Sequence, residues 1–257
     1  MVMEKKKRGR KKKCDSGYNK DNKLRVFTAF SGYDSQCMAL DSLKEISDFD
    51  YELVGWSEID KYAIQAHNAL FPQYKDRNYG DISKINWEEV PDFDFFTYSS
   101  PCQQFSLAGK MLGGEEGSGT HSSLLWECKK AIDIKRPKYL MLENVKNLVS
   151  DRFIHTFNKW LNYLESRGYT NYWKVLKGSD FGIPQERERV FCVSILNPEG
   201  NFVFPSGWKL DKNTIDFLQT KEEIGEELWE KLVDPVENYE TYLKDNEQFK
   251  KFAIIQK

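Results

Sequence analysis

The sequence predicts one α/β domain, a mostly parallel sheet with helices on both faces, preceded by a short basic arm. Three observations carry that expectation. At 257 residues the chain is long enough to bury a sizeable core in a single such domain with a small extension. Hydrophobic residues at 40% and charged residues at 30% give a globular, water-compatible composition. Short apolar runs alternate with helix-length segments, and that alternation implies right-handed crossovers and a parallel sheet.

The elements follow in order. Residues 1–13 carry eight Lys or Arg against one Glu, a net of +7, so the overall charge of −2 leaves −9 for residues 14–257. A block of like charges repels itself and buries nothing. Residues 1–22 are therefore expected to be a disordered arm and linker whose use is to meet a polyanion, with a solubilising tail as the plain alternative. Arg8-Gly9-Arg10 resembles the core of an AT-hook, the kind of insertion a narrow minor groove attracts. Leu24 to Phe30 then reads as a buried strand, Ser31-Gly32-Tyr33-Asp34 as a turn, and Ser35 to Ile46 as a helix with Cys37, Leu40 and Leu43 on one face. Strand Tyr51 to Trp56, helix Lys61 to Leu70, a turn or short strand at Gly80-Asp81-Ile82 and strand Phe93 to Tyr98 come next. Helix Ser123 to Ile134, strand Tyr139 to Leu142, helix Phe153 to Arg167 and strands Tyr172 to Leu176 and Val190 to Ile195 complete the domain. It is expected to span residues 23–205, with 206–257 a helical, acidic extension.

No apolar run approaches the ~20 residues of a membrane helix, and the start lacks the apolar stretch of a secretory signal, so the expectation is no membrane and an intracellular, cytoplasmic protein. Five cysteines without a CxxC, and three scattered histidines, argue against a disulfide framework and against a metal.

Ligands of open α/β sheets sit at the carboxyl ends of the strands. Those positions offer Phe30-Ser31-Gly32, Glu58, Asp81, Ser100-Pro101-Cys102-Gln103 and Glu143-Asn144-Val145. An acid after the second strand is where such sheets hold ribose hydroxyls, which favours a nucleoside-bearing cofactor. Taken singly these are weak signs, since Gly32 suits any turn and Glu58 or Asp81 any helix cap. Cys102 differs in kind. A thiol directly after a proline at the mouth of an apolar strand is placed for exposure to a ligand, whereas a structural cysteine sits inside the strand. At an ordinary pKa near 8.5 only about 3% of it is thiolate at pH 7, so its reactivity depends on its surroundings.

In this order the residues resemble the C5-specific cytosine DNA methyltransferases, which use S-adenosylmethionine. Phe30-Ser31-Gly32 looks like the first cofactor motif, Glu58 with Ile59 the ribose acid and its neighbour, and Asp81-Ile82 the adenine turn. Ser100-Pro101-Cys102-Gln103-Gln104-Phe105-Ser106 looks like the Pro-Cys loop, and Leu124-Leu125 falls at the fifth motif. Glu143-Asn144-Val145 and Gln185-Glu186-Arg187-Glu188-Arg189 match the two that follow. The resemblance implies a Rossmann-like methyltransferase fold with an antiparallel last strand. It assigns cofactor binding to Phe30, Ser31, Gly32, Glu58, Ile59, Asp81, Ile82, Ser100, Pro101 and Leu125. For catalysis it implies Cys102 as nucleophile at cytosine C6, Glu143 as the acid at N3, Arg189 on the base O2, and Arg187 supporting the loop or a phosphate. The chemistry needs these types: a thiolate added at C6 makes C5 electron-rich, and the charge arriving at N3 needs an acid. The base must also be flipped out of the duplex.

Two departures stand out. Asp34 and Ser35 replace glycines of the first motif, and Asp34 is expected to cap the next helix while placing negative charge near the cofactor's carboxylate. Ile59 replaces an aromatic, keeping an apolar face but losing stacking. Beyond Phe204-Pro205 the target-recognition domain and the Gly-Asn-Ser-Val of the late motifs are not seen. The readings are a subunit whose second polypeptide supplies recognition, a truncated or degenerate protein that binds DNA without turnover, or, from another class, a nucleotide-binding oxidoreductase. The missing Gly-x-Gly-x-x-Gly argues against the last.

Overall fold

The structure, a computed structural model, describes residues 17–101 and 121–208. The basic arm, Cys102 with the loop to residue 120, and the extension from 209 onward lie outside the described residues. Two compact units divide the chain: residues 1–178 with 186–207, and residues 179–185 with 208–257.

Six strands of the larger unit form one sheet: β1 (Leu24–Ala29), β2 (Tyr51–Ser57), β3 (Phe95–Tyr98), β4 (Tyr139–Val145), β5 (Tyr169–Lys177) and β6 (Glu188–Leu196), in the spatial order β2-β1-β3-β4-β6-β5. The pairs β1–β2, β1–β3 and β3–β4 are parallel, while β6 runs antiparallel to both β4 and β5. From β1 the chain moves outward to β2 and then returns to the other side of β1. The carboxyl ends of β1 and β3 therefore flank the point where the strand order reverses, where a ligand crevice opens.

Alternation along β1 shows why both faces are covered. Leu24 and Val26 join a cluster with Cys37 and Leu40 of α1 (Ser35–Ile46), Leu53 and Trp56. Phe27 and Ala29 point the other way, into a cluster holding Ala131 and Ile132 of α3 (Cys128–Lys135) and Phe157 and Trp160 of α4 (Ile154–Ser166). Trp160 is fully buried, and its indole N–H donates to the Tyr98 hydroxyl at 3.2 Å. The remaining helix, α2 (Lys61–Leu70), starts where the Asp60 carboxylate accepts from the N–H groups of Tyr62 and Ala63, and it ends before Pro72. At Gly55 the β1–β2 register shifts, and a Cβ there would lie 2.7 Å from both the Phe27 and Tyr79 rings, so only glycine lets those rings cross the strand.

Several expectations are corrected. Leu43 is 44% exposed rather than on the buried face of α1. The helix expected from Ser123 begins as a 3-10 helix, His121–Glu127, and becomes α-helical only at Cys128. The Glu-Asn-Val segment lies inside β4 rather than past its end, because β6 extends the ladder: Glu143 pairs with Phe191, Asn144 with Val190 and Val145 with Arg189. In the smaller unit, the Trp208 N–H donates to the Asp180 carbonyl at 2.7 Å and the Trp208 ring meets Phe181 edge-on. Among the described residues no helix is long and apolar enough to cross a membrane, and no group of three His, Cys, Asp or Glu is set to hold a metal.

Candidate active site

The turn after β1 is tightly wound: Phe30, Gly32 and Asp34 take φ of 55°, 57° and 67°. Left-handed backbone comes free to glycine and costs other residues roughly 1–2 kcal/mol. The turn is tied to the end of β2. Ser31 N–H donates to the Ser57 carbonyl at 3.2 Å, and Gly32 N–H to Glu58 Oε2 at 2.9 Å. Glu58 Oε1 accepts from the N–H groups of Ile59 and Asp60 at 2.7 and 2.9 Å. The acid at the second strand's end is thus held by three backbone donors, which fixes its orientation and leaves one acceptor site, on Oε2, for a hydroxyl. Ile59 beside it is 72% exposed, and Phe30 packs against the larger cluster.

Asp81 caps a 3-10 turn, Ile82–Lys84. The Ser83 hydroxyl and N–H, with Lys84, hold its carboxyl below the usual range. Ile82 is buried in the larger cluster, and so is Leu125, at 1% exposure. A residue without an assigned role, Asn78, joins this turn to Glu58: its Oδ1 accepts from Glu58 N–H at 3.2 Å and Gly80 N–H at 2.9 Å, and its Nδ2 donates to the Glu58 carbonyl at 3.1 Å. Nothing in its spacing marks it in advance.

Beyond β3, Ser99 N–H reaches the Ala29 carbonyl at 3.4 Å, and Gln36 Nε2 donates to the Ser99 hydroxyl at 3.2 Å. Asn144, 3% exposed, donates to the Ser100 carbonyl at 3.2 Å. The last residues before position 102 are therefore fastened to the residue after Glu143. Pro101 is half-buried, and the described segment stops there. Glu143 Oε1 lies 3.1 Å from Arg189 Nε, with the two side chains 26% and 23% exposed. Register explains the pair, since Arg189 faces Val145, two residues along the same face of β4. Arg187 is exposed, its carbonyl accepting from Gly178 N–H at 2.9 Å. Lys146 reaches across to Glu188 at 2.8 Å, beside the Glu143–Arg189 pair in sequence on both strands.

Cysteine chemistry narrows the nucleophile. Cys37, Cys128 and Cys192 are buried, and burial pushes all three thiols up, Cys192 to about 11. None is a thiolate near neutral pH.

A carboxylate clamped at the second strand's end and a wound turn at the strand reversal, with an acid–arginine pair on the fourth and sixth strands, define the class of protein: an open, doubly wound α/β protein with polar side chains gathered at the carboxyl ends of its strands. A family model for C-5 cytosine-specific DNA methylase matches residues 24–256, and the chain belongs to that family. It is 43% identical over 247 residues to type II methyltransferase M2.ScrFI of Lactococcus lactis subsp. cremoris, covering 76% of this chain and 68% of that one. It is 36% identical over 197 residues to orphan methyltransferase M.SPRI of Bacillus phage SPR, covering 77% and 43%. The chain thus spans 68% of the length of the first of these relatives and 43% of the second. The methyltransferase EhMeth of Entamoeba histolytica superimposes with a TM-score of 0.60 at 18% identity, over 77% of this chain and 60% of that one, which confirms the Rossmann-like methyltransferase fold; the antiparallel last strand is β6.

Use of S-adenosylmethionine follows from the family. The residues fit it: the Ser31 hydroxyl is buried without a hydrogen-bond partner among the described residues, beside a glycine turn and the oriented Glu58 carboxylate.

Proposed function

We propose that the protein transfers the methyl group of S-adenosylmethionine to C5 of a cytosine extruded from DNA, through a covalent adduct between Cys102 and C6. The observation that carries this reading is the tie between Ser100 and Asn144, which brings the segment leading to Cys102 against the strand bearing Glu143. The cofactor supplies an electrophilic methyl on a sulfonium. Phe30, Ser31, Gly32, Glu58 and Asp81-Ile82 are its proposed contacts, with Ile59 offering an apolar face to adenine; Ser100, Pro101 and Leu125 complete the assignment.

The thiolate of Cys102 adds to C6, and the displaced electron pair moves toward N3, where Glu143, freed from Arg189 by the entering base and having taken a proton from solvent, supplies that proton. Arg189 holds the base O2, and Arg187 supports the loop or a phosphate. In the free protein Glu143 and Arg189 neutralise one another at 3.1 Å, so an entering base exchanges that contact for its own edge. With C5 now electron-rich the methyl is taken up and the sulfonium is left as a neutral thioether; the C5 proton then leaves to a base as the thiolate departs, and N3 returns its proton to Glu143, restoring the ring. Extruding the base costs a few kcal/mol. Outside residues 1–13 the chain carries −9, which makes the arm the natural partner of phosphates.

Target recognition is proposed to come from a second polypeptide. Support for that lies on α1, which turns Met38, Leu43 and Ile46 outward at 44%, 44% and 79% exposure. The setting is intracellular, where DNA is. The alternative, a protein that binds DNA without turnover, makes the opposite prediction in one experiment. DNA carrying 5-fluorocytosine is mixed with the protein and S-adenosylmethionine, with and without the product of the neighbouring gene. A covalent adduct that vanishes in Cys102→Ala is expected; an adduct that persists in the variant refutes the nucleophile, and a neighbour without effect refutes the two-chain form.

A further inference from the structure

Position 34 is where this chain departs from the family's glycine, and its side chain lies elsewhere than the sequence suggests. The Asp34 carboxylate is fully buried. Its Oδ2 accepts from the Thr28 hydroxyl at 2.8 Å and its Oδ1 from the Cys37 N–H at 3.2 Å. The His67 ring, also fully buried and stacked on Trp56 at 3.7 Å, brings Nε2 to within 3.5 Å of Oδ2. One side chain thus hydrogen-bonds the end of β1 and the first turn of α1 and lies against the last turn of α2, where the buried His67 ring nitrogens make no hydrogen bond among the described residues. The expected negative charge toward the cofactor's carboxylate is absent, because that charge is spent inside these elements.

The backbone explains why position 34 is special. Asp34 sits at φ 67°, ψ 59°, a conformation that favours glycine and that aspartate tolerates better than most residues. Its N–H donates to the Ser31 carbonyl at 2.8 Å, so the residue closes the turn on which Ser31 and Gly32 are carried. Gly32 in turn orients Glu58. A glycine would take the same backbone shape and hold nothing; Asp34 takes it and anchors it to β1 and α1, with His67 of α2 packed alongside.

We propose that Asp34, with Thr28 and His67, is the positioning residue of the cofactor turn, setting where Ser31, Gly32 and through them Glu58 meet the nucleoside. This rests on the reading of the site as one for S-adenosylmethionine. Its mark is on cofactor affinity rather than on the reaction of the bound base.

The test measures the dissociation constant of S-adenosylmethionine for the full chain by calorimetry, with unfolding temperature recorded beside it. Asp34→Gly keeps the backbone shape and removes the anchor; Thr28→Val removes the donor to the anchor, and Thr28→Ser restores it. Phe157→Ala, a core truncation on the opposite face of the sheet, serves as a control for instability alone. The expected result is affinity weakened about tenfold in Asp34→Gly and several-fold in Thr28→Val, near wild type in Thr28→Ser, and unchanged in Phe157→Ala despite its lower unfolding temperature. If adduct formation on 5-fluorocytosine is followed, the cofactor concentration at half-saturation rises while the rate at saturation stays within about twofold. Folded Asp34→Gly and Thr28→Val proteins that bind as tightly as wild type would overturn the inference alone. A wild-type chain that does not bind S-adenosylmethionine overturns the reading of the site and this inference together.

Discussion

Replacing Asn144 by alanine tests whether the two halves of the proposed catalytic centre are mechanically joined. The amide is 3% exposed, its Nδ2 donating to the Ser100 carbonyl at 3.2 Å and its Oδ1 accepting from the Val145 N–H at 2.9 Å. A further, weaker hydrogen bond runs from Nδ2 to the Ser100 hydroxyl at 3.4 Å, a group that can turn to another partner when the amide is removed. Alanine strands one carbonyl in a buried site, at about 1–3 kcal/mol, and leaves a void worth roughly another 1 kcal/mol. The neighbouring N–H is partly exposed and recovers with water. The sum is about 2–4 kcal/mol, which for a chain of this size lowers the unfolding temperature by roughly 4–16 °C. Denaturant unfolding gives the free energy, and trapping on 5-fluorocytosine DNA gives the function. The adduct rate should fall at least tenfold while S-adenosylmethionine binds as before, because the segment before Cys102 has lost its tether and the turn after β1 has not. A destabilisation under about 0.5 kcal/mol, or an unaltered adduct rate, refutes the reasoning.

Two further outcomes follow from ionisation. Burial opposes the charge on Asp50, but Lys44 at 2.9 Å and the Tyr51 N–H outweigh it and hold the carboxyl below its usual value. A depressed carboxylate stabilises the fold above its unfolded pKa of about 3.9 and loses that contribution as pH falls through the folded value. Asp50→Asn should therefore lower the unfolding free energy from urea titration at pH 7, by about 1–2 kcal/mol with Lys44 half in solvent, and cost progressively less as pH falls below about 3.9; an equal loss at every pH counts against the pair. For the cysteines, labelling at pH 8 with peptide mapping should leave Cys37, Cys128 and Cys192 unmodified until denaturant is added, and rapid native labelling of Cys192 contradicts its burial.

What could be read in advance depended on how local its cause was. Helix α2 agrees at both ends because its cap, Asp60, and its stop, Pro72, are neighbours in the chain. Strand β4 runs three residues past its expected end because the ladder is completed by β6, some 45 residues later, and no local pattern reports that partner. Leu43 was placed in the core by spacing, yet α1 has only two buried residues, Cys37 and Leu40, so a third apolar position at helical spacing met no neighbour. At the site, Glu58 was legible from its place at a strand end, whereas Asn78 was not, since its importance comes from the fold returning residue 78 to the edge of Trp56. Asp34 was seen as unusual, but the direction of its side chain depends on Thr28 and His67, which only packing brings together.

The topology also separates the chemistry into two parts with different supports. The cofactor turn hangs on β1, β2, α1 and α2, all within residues 24–70 and all parallel or helical neighbours. The Glu143–Arg189 pair exists because β6 enters the sheet backwards between β4 and β5 and lays Arg189 against Val145. β3, paired with β1 on one side and β4 on the other, links the two, and the segment after it, Ser99 and Ser100, does so through Ala29 and Gln36 on one side and Asn144 on the other. Damage at Asp34 should then appear in cofactor affinity and damage at Asn144 in adduct formation, with the double variant Asp34→Gly/Asn144→Ala additive within about 0.5 kcal/mol in unfolding free energy. Strong coupling between the two would mean that the segment after β3 transmits strain rather than hinging, and that one rigid unit carries both cofactor and base.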